Sequence, residues 1–80
     1  MLNITFTKHA LVQLRIRAIS QAEVRLALIS PDKIIKQTNS RYRAIKKIER
    51  RYVLVVIFEQ GDNKIEIITA FKTSKINKYL

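Results

Sequence analysis

The chain has 80 residues, enough for one domain with a thin core, and 48% of them are apolar, which excludes a disordered protein. It has no cysteine, which excludes a disulfide framework and thiolate metal sites. No apolar run approaches the ~20 residues that cross a bilayer, and no segment resembles a signal peptide. We therefore expect a cytoplasmic protein without a membrane partner.

Positive charge dominates the composition. Sixteen Lys and Arg residues against six Asp and Glu residues give a net charge of +10. Such an excess destabilises a compact chain by self-repulsion, so it indicates a polyanionic partner, either nucleic acid or an acidic protein. A solvated charged face without a partner is the plain alternative.

The N-terminal part is predicted to form a short strand and two helices, at 3–6, 8–18 and 20–29. Thr7 is placed to cap the first helix. Ser20 and Glu23 form an S-x-x-E capping box that opens the second. The second helix is predicted to end at Ser30, Pro31 and Asp32.

The rest is rich in β-branched and aromatic residues, and strands are predicted at 33–37, 41–48, 51–59 and 64–71. Alternation in the last strand predicts one face with Ile65, Ile67, Thr69 and Phe71, and the other with Lys64, Glu66, Ile68 and Ala70. The tail, from Lys72 to Leu80, is predicted to be a last helical turn or an ordered extension. The sequence thus predicts a single α+β domain over 1–80. In it two N-terminal helices pack on one face of a four-stranded, mainly antiparallel sheet, a short C-terminal extension follows, and the other face stays open.

Several chemistries have no motif in this chain. The sequence contains no Gly-rich phosphate loop, no nucleophilic Ser motif, no His/Cys metal spacing and only one His. Its six acids are scattered, so neither a metal site nor a cofactor is predicted. Cation-rich phosphate chemistry remains, in which the ribose 2′-hydroxyl attacks the adjacent phosphate and cations neutralise the developing charge.

His9 and Arg17 are the residues near the first helix that suit this chemistry. Arg holds phosphate bidentately, and His carries protons near neutral pH. They lie eight positions apart, roughly 12 Å along a helix axis, so the backbone alone cannot bring both to one phosphate. The ordinary alternatives are a surface or capping role for His9, and for Arg17 an ion pair with Glu23 or a place at a helix C-terminus.

The densest cationic stretch, Arg41 to Arg51, is predicted to be binding surface, because phosphate contacts do not require strict geometry. Tyr42, Tyr52 and Tyr79 could stack on bases or serve as packing residues. With a cation from the closing segment, the predicted phosphate-binding set is Arg41, Arg43, Lys46, Lys47, Arg51 and Lys72.

The order of short motifs resembles a family of small bacterial and archaeal proteins. These motifs are Phe6-Thr7-Lys8-His9-Ala10, Arg17, Ile19-Ser20-x-x-Glu23, Ser30-Pro31-Asp32 and the close from Ile67 to Ile76. That family is similar to the RelE and BrnT toxins and is grouped with the barnase/RelE-like ribonuclease fold. Ala18 departs from the pattern, because the family commonly has Gly there and Ala adopts positive φ only at a cost.

The resemblance implies a metal-independent endoribonuclease, the toxin of a type II toxin–antitoxin pair, which cleaves mRNA and is silenced by a small acidic antitoxin. It marks His9, Arg17 and Thr69 as the catalytic positions. Arg17 with Arg51 or Arg43 would hold the scissile phosphate, His9 would handle a proton, and Thr69 would orient a phosphate oxygen or a neighbouring side chain.

Two other functions stay open. One is a non-catalytic module that binds nucleic acid or an acidic protein through its basic surface. The other is a ParE-like toxin directed at gyrase.

Overall fold

A computed structural model describes residues 3–80 of the chain. Its helices and strands are β1 (Asn3–Phe6), α1 (Lys8–Ile16), α2 (Gln21–Ile29), β2 (Lys33–Lys36), β3 (Arg41–Glu49), β4 (Tyr52–Gly61), β5 (Lys64–Thr73) and α3 (Ile76–Tyr79). The strands form one sheet in the order β1-β5-β4-β3-β2. Within this part of the chain no helix is both long enough and apolar enough to cross a bilayer.

The sheet differs from the predicted four-stranded, mainly antiparallel arrangement with two helices, and that prediction is wrong. The sheet has five strands and is mixed, because β1 pairs in parallel with β5, from Asn3 opposite Lys64 to Phe6 opposite Ile67. A third helix, α3, follows the sheet. A four-residue strand carries too little pattern to reveal a partner some sixty positions away, since pairing of that kind is set by tertiary packing.

Side-chain caps fix the starts of both N-terminal helices, as the sequence predicts. Thr7 Oγ1 accepts a hydrogen bond from the Ala10 N–H at 3.0 Å. The capping box is complete: Ser20 Oγ accepts from the Glu23 N–H at 3.0 Å, and Glu23 Oε1 accepts from the Ser20 N–H at 2.9 Å. These bonds satisfy backbone donors that the first turn of a helix leaves unpaired.

The two faces of the sheet have separate hydrophobic clusters. On the first face, α1 and α2 bury Ala10, Leu14, Val24 and Ala27 against β3, β4 and β5. On the second face Ile45, Val53 and Val55 are fully buried, and Ile76 and Tyr79 of α3 pack against them. The second face is therefore covered by α3 in part, so it is not open throughout as the sequence predicts.

A β-bulge changes which residues of β5 share a face. Ile57 pairs with Thr69, but the next residue, Phe58, pairs with Ile67, so Ile68 is the extra residue. Ile65, Ile67 and Ala70 consequently lie in the first-face cluster. Thr69 lies on the second face with Phe71, and not on the first face with Ile67. The predicted alternation is wrong from this point on, because it assumed an unbroken period of two.

Candidate functional site

The end of α1 places Arg17 beside β5. The Ile19 N–H donates to the Leu14 carbonyl at 2.9 Å and the Ala18 N–H to the Arg15 carbonyl at 3.2 Å, which is a Schellman motif. Ala18 takes the left-handed conformation, φ 54°, that the motif requires. The turn therefore keeps its geometry without a glycine. The chain reverses immediately after Arg17, and Ile19 returns to the core.

The Arg17 guanidinium binds the edge of β5. Its Nη1 donates to Thr69 Oγ1 at 3.2 Å and to the Ala70 carbonyl at 2.8 Å. The pairing of β1 with β5 ends at Ile67, so in the described chain this stretch of the edge has no neighbouring strand. Two of the three predicted catalytic residues are thus in direct contact, although they are 52 positions apart. The bonds use two of the five guanidinium donors, which leaves three for a ligand.

His9 lies in the first turn of α1, and its side chain is exposed. In a helix, residues at i, i+4 and i+8 follow one another along a slowly turning row. His9, Gln13 and Arg17 form such a row, with His9 at the end away from the Thr69 contact. Gln13 lies between His9 and Arg17 in this row, four positions from each. The separation between His9 and Arg17 remains roughly 12 Å along the axis, as helix geometry requires.

Glu23 and Lys72 form an ion pair between α2 and β5. Lys72 Nζ lies 3.3 Å from Glu23 Oε2. The hydrogen bond from the Ser20 backbone holds the pKa of the Glu23 carboxyl below its usual 4.5; burial opposes the shift and Lys72 adds to it. Glu23 therefore pairs with Lys72 and not with Arg17, which the sequence also allowed as its partner. Lys72, predicted to bind phosphate, is partly neutralised by this acid.

The other predicted phosphate-binding residues do not share one surface. Arg41 and Arg43 lie on the second face with Lys47, Lys46 lies on the helix-covered face, and Arg51 lies in the β3–β4 turn. Several are already engaged. Arg41 Nη2 is 2.8 Å from Glu59 Oε1, and Lys46 Nζ donates to the Ser30 carbonyl at 2.8 Å.

Arg43 forms part of a cluster with the aromatic side chains of the second face. Its guanidinium carbon lies 5.3 Å from the Tyr79 ring centroid, and its Nε is buried without a hydrogen-bond partner. The Tyr79 ring meets the Phe71 ring edge to face, with centroids 5.9 Å apart. Of the open roles for Tyr79, packing is the one that these contacts support directly.

These features define a small basic domain in which an arginine at the end of the first helix is bound to the edge of the last strand. The chain belongs to a family described as a domain of unknown function (DUF4258), which matches residues 6–72. That match covers every element from α1 to most of β5. No curated protein and no solved structure matches the chain.

Proposed function

We propose that this chain is a metal-independent endoribonuclease, the toxin of a type II toxin–antitoxin pair, which cleaves mRNA and is silenced by a small acidic antitoxin. The observation that carries the proposal is the Arg17–Thr69 contact, in which two polar residues distant in sequence meet at an exposed position. The net charge of +10 supports a polyanionic substrate.

The cleavage step uses the 2′-hydroxyl of the RNA itself as the nucleophile. The 2′-hydroxyl oxygen of the ribose forms a bond to the adjacent phosphorus while the bond from phosphorus to the 5′-oxygen breaks. A proton leaves the 2′-hydroxyl and a proton is delivered to the 5′-oxygen, so the products are a cyclic 2′,3′-phosphate and a 5′-hydroxyl. The three free N–H donors of Arg17 would bind the phosphate oxygens as negative charge accumulates on them. Thr69 would keep the guanidinium in that orientation.

His9 is the candidate proton carrier, and Arg17 is the residue assigned to the phosphate. The attacking and leaving oxygens are both bonded to the phosphorus that Arg17 would hold. His9 would therefore reach a proton there only if the two side chains together span the roughly 12 Å between their positions along the helix. Among residues 3–80 no three His, Cys, Asp or Glu side chains converge as metal ligands, and the proposal gives the charge-stabilising role to arginine instead.

The test is RNA cleavage by purified protein in the presence of a chelator, with the new 5′ ends mapped. We expect cuts from the wild type and at least a tenfold loss in Arg17→Lys, because lysine keeps the charge but loses the planar fork. Arg15→Lys is the matched control, since it makes the same change at an exposed arginine in the last turn of α1. Circular dichroism checks that each variant is folded.

The outcomes separate the functions. RNA binding without cleavage by folded wild-type protein would contradict the ribonuclease proposal and favour a binding module. Growth arrest on induced expression without new RNA ends would favour a gyrase-directed toxin. For His9→Ala, a flattened pH–rate profile indicates proton transfer, whereas a raised KM with an unchanged profile indicates binding alone.

A further inference from the structure

The bulge in β5 brings Glu66 onto the same face of the sheet as Thr69. Glu66 pairs with Glu59 of β4, and Thr69 pairs with Ile57. Glu59 and Ile57 are two positions apart on β4, so their side chains lie on the same face. Glu66 and Thr69 are therefore consecutive residues on the second face, whereas an unbroken alternation would put residues three apart on opposite faces. The extra residue, Ile68, makes this difference.

This placement puts a carboxylate near the guanidinium of Arg17. Consecutive residues on one face of a strand are roughly 7 Å apart, at about 3.4 Å per residue. A glutamate side chain can close most of that gap, and Thr69 itself is bound to Arg17 at 3.2 Å. His9, by comparison, lies roughly 12 Å from Arg17 along the helix axis. The carboxylate of Glu66 is thus better placed than the imidazole to reach a group that Arg17 holds.

The Glu66 carboxylate is free to act on a ligand. Its neighbour across the strand pair, Glu59, is bound to Arg41 at 2.8 Å. Lys64 precedes it on the same face of β5, and Thr5 is its partner on β1. In the described part of the chain Glu66 takes part in no ion pair, although its side chain is only half-exposed.

We infer that Glu66 is the general base of the proposed ribonuclease. The inference rests on that function and adds the group that starts the reaction. The Glu66 carboxylate takes the proton of the 2′-hydroxyl as that oxygen forms its bond to phosphorus, while Arg17 neutralises the phosphate oxygens. The bond from phosphorus to the 5′-oxygen breaks, and the 5′-oxygen takes a proton from His9 or from water. Glu66 then returns its proton to water.

Binding alone gives no reason for an acid at this position. A carboxylate next to a phosphate-binding guanidinium repels the phosphate and weakens its attachment. A surface that only bound RNA would therefore gain affinity if Glu66 lost its charge. A ribonuclease that used Glu66 as its base would lose activity by the same change, so the two roles predict opposite results.

The experiment compares the wild type with Glu66→Gln and Glu59→Gln. Glutamine keeps the size of the side chain but does not accept the proton. Cleavage of RNA is followed in the presence of a chelator across a range of pH. Binding is measured separately with RNA that is 2′-O-methylated throughout, because that RNA has no 2′-hydroxyl and cannot be cleaved. Glu59→Gln is the matched control, since it makes the same change at the paired residue on the same face. Thermal unfolding checks that each variant is folded.

We expect Glu66→Gln to lower kcat by about 10²-fold or more, with equal or tighter binding of the methylated RNA. Its remaining activity should no longer fall as the pH is lowered, because glutamine does not titrate. Added formate should restore part of the activity of Glu66→Ala, since a small carboxylate can take the place of the missing one. Glu59→Gln should keep the kcat and the pH–rate profile of the wild type.

The outcomes separate this inference from the function on which it rests. Cleavage by the wild type with an unchanged kcat in folded Glu66→Gln would overturn the inference and leave the proposed ribonuclease intact. An equal loss of kcat in Glu59→Gln would also overturn it, because the effect would then belong to the charge of the whole face. If Glu66→Gln did not fold, a folded Glu66→Ala that formate fails to rescue would decide against it. No cleavage by folded wild-type protein would overturn both proposals.

Discussion

Arg17 holds Thr69 through a single nitrogen, and the contribution of this contact can be measured by changing the hydroxyl alone. Thr69→Val keeps the side-chain shape and the β-branch, so we expect the free energy of unfolding to change by no more than about 1 kcal/mol. RNA cleavage should fall at least tenfold, because the guanidinium loses its orientation. Thr69→Ser restores the hydroxyl and should recover most activity. Full activity of a folded Thr69→Val protein would remove Thr69 from the site.

Ala18 carries a conformational cost that glycine would relieve. Its φ of 54° lies in the left-handed region, which costs an alanine about 1–2 kcal/mol. Glycine removes that cost but gains freedom in the unfolded chain, so we expect Ala18→Gly to raise the free energy of unfolding by about 0.5–1 kcal/mol. Urea denaturation measures the change. Ala22→Gly, inside α2, is the control and should destabilise instead. Destabilisation by both changes would contradict the left-handed assignment.

Glu23 makes stability depend on acid pH. Because the folded protein holds the pKa of this carboxyl below 4.5, the ion pair and cap contribute stability above that value. The contribution is lost as the pH falls through the depressed folded pKa. We therefore expect Glu23→Gln to lower the thermal midpoint near neutral pH and to match the wild type in stronger acid. A difference that stays constant across that range would show that Glu23 acts through packing and not through its charge.

At the scale of elements, local chemistry explains which predictions succeeded. Helix starts were predictable because Thr7 and the Ser20–Glu23 pair act within three residues of themselves. Strand pairing was not, because the parallel partner of β1 lies at the far end of the sequence. The bulge at Ile68 was invisible for a related reason: a sequence of alternating residues does not show where the alternation slips. The Arg17–Thr69 contact depends on the strand pairing and on the bulge. The sequence therefore allowed the two residues to be named as candidates, but it did not predict the contact between them.

The helix α3 is expected to stabilise the second face through one aromatic ring. Tyr79 packs on Phe71 and lies beside Arg43, so Tyr79→Ala should lower the free energy of unfolding by about 1–2 kcal/mol, less than for a fully buried ring. Tyr79→Phe keeps the ring contacts and serves as the control. Chemical denaturation measures both. If Tyr79→Ala left stability unchanged, α3 would not contribute to the second-face cluster.

For the whole molecule, the excess charge should make RNA binding strongly salt-dependent. The logarithm of the binding constant should fall linearly with the logarithm of salt concentration, by about 0.7 per phosphate contacted on a single strand. Lys47→Ala and Arg51→Ala, both at exposed positions, should each reduce the slope by about that amount. Arg15→Ala removes the same charge from the helical layer and should leave the slope unchanged. If all three substitutions changed the slope equally, the RNA would be responding to the net charge of the protein and not to a particular surface.

The distance in sequence between Arg17 and Thr69 also fixes when the site can form. A ribosome makes α1 early and the edge of β5 late, so a growing chain has its arginine long before the strand that orients it. β1 likewise waits for β5, because the pairing that closes the sheet joins residues near opposite ends of the described chain. Pairing over such a long range is intrinsically slow, because the chain between the two strands must first be brought to closure. Under the ribonuclease function proposed above, a nascent chain would stay inactive until β5 has been synthesised and has paired in the sheet.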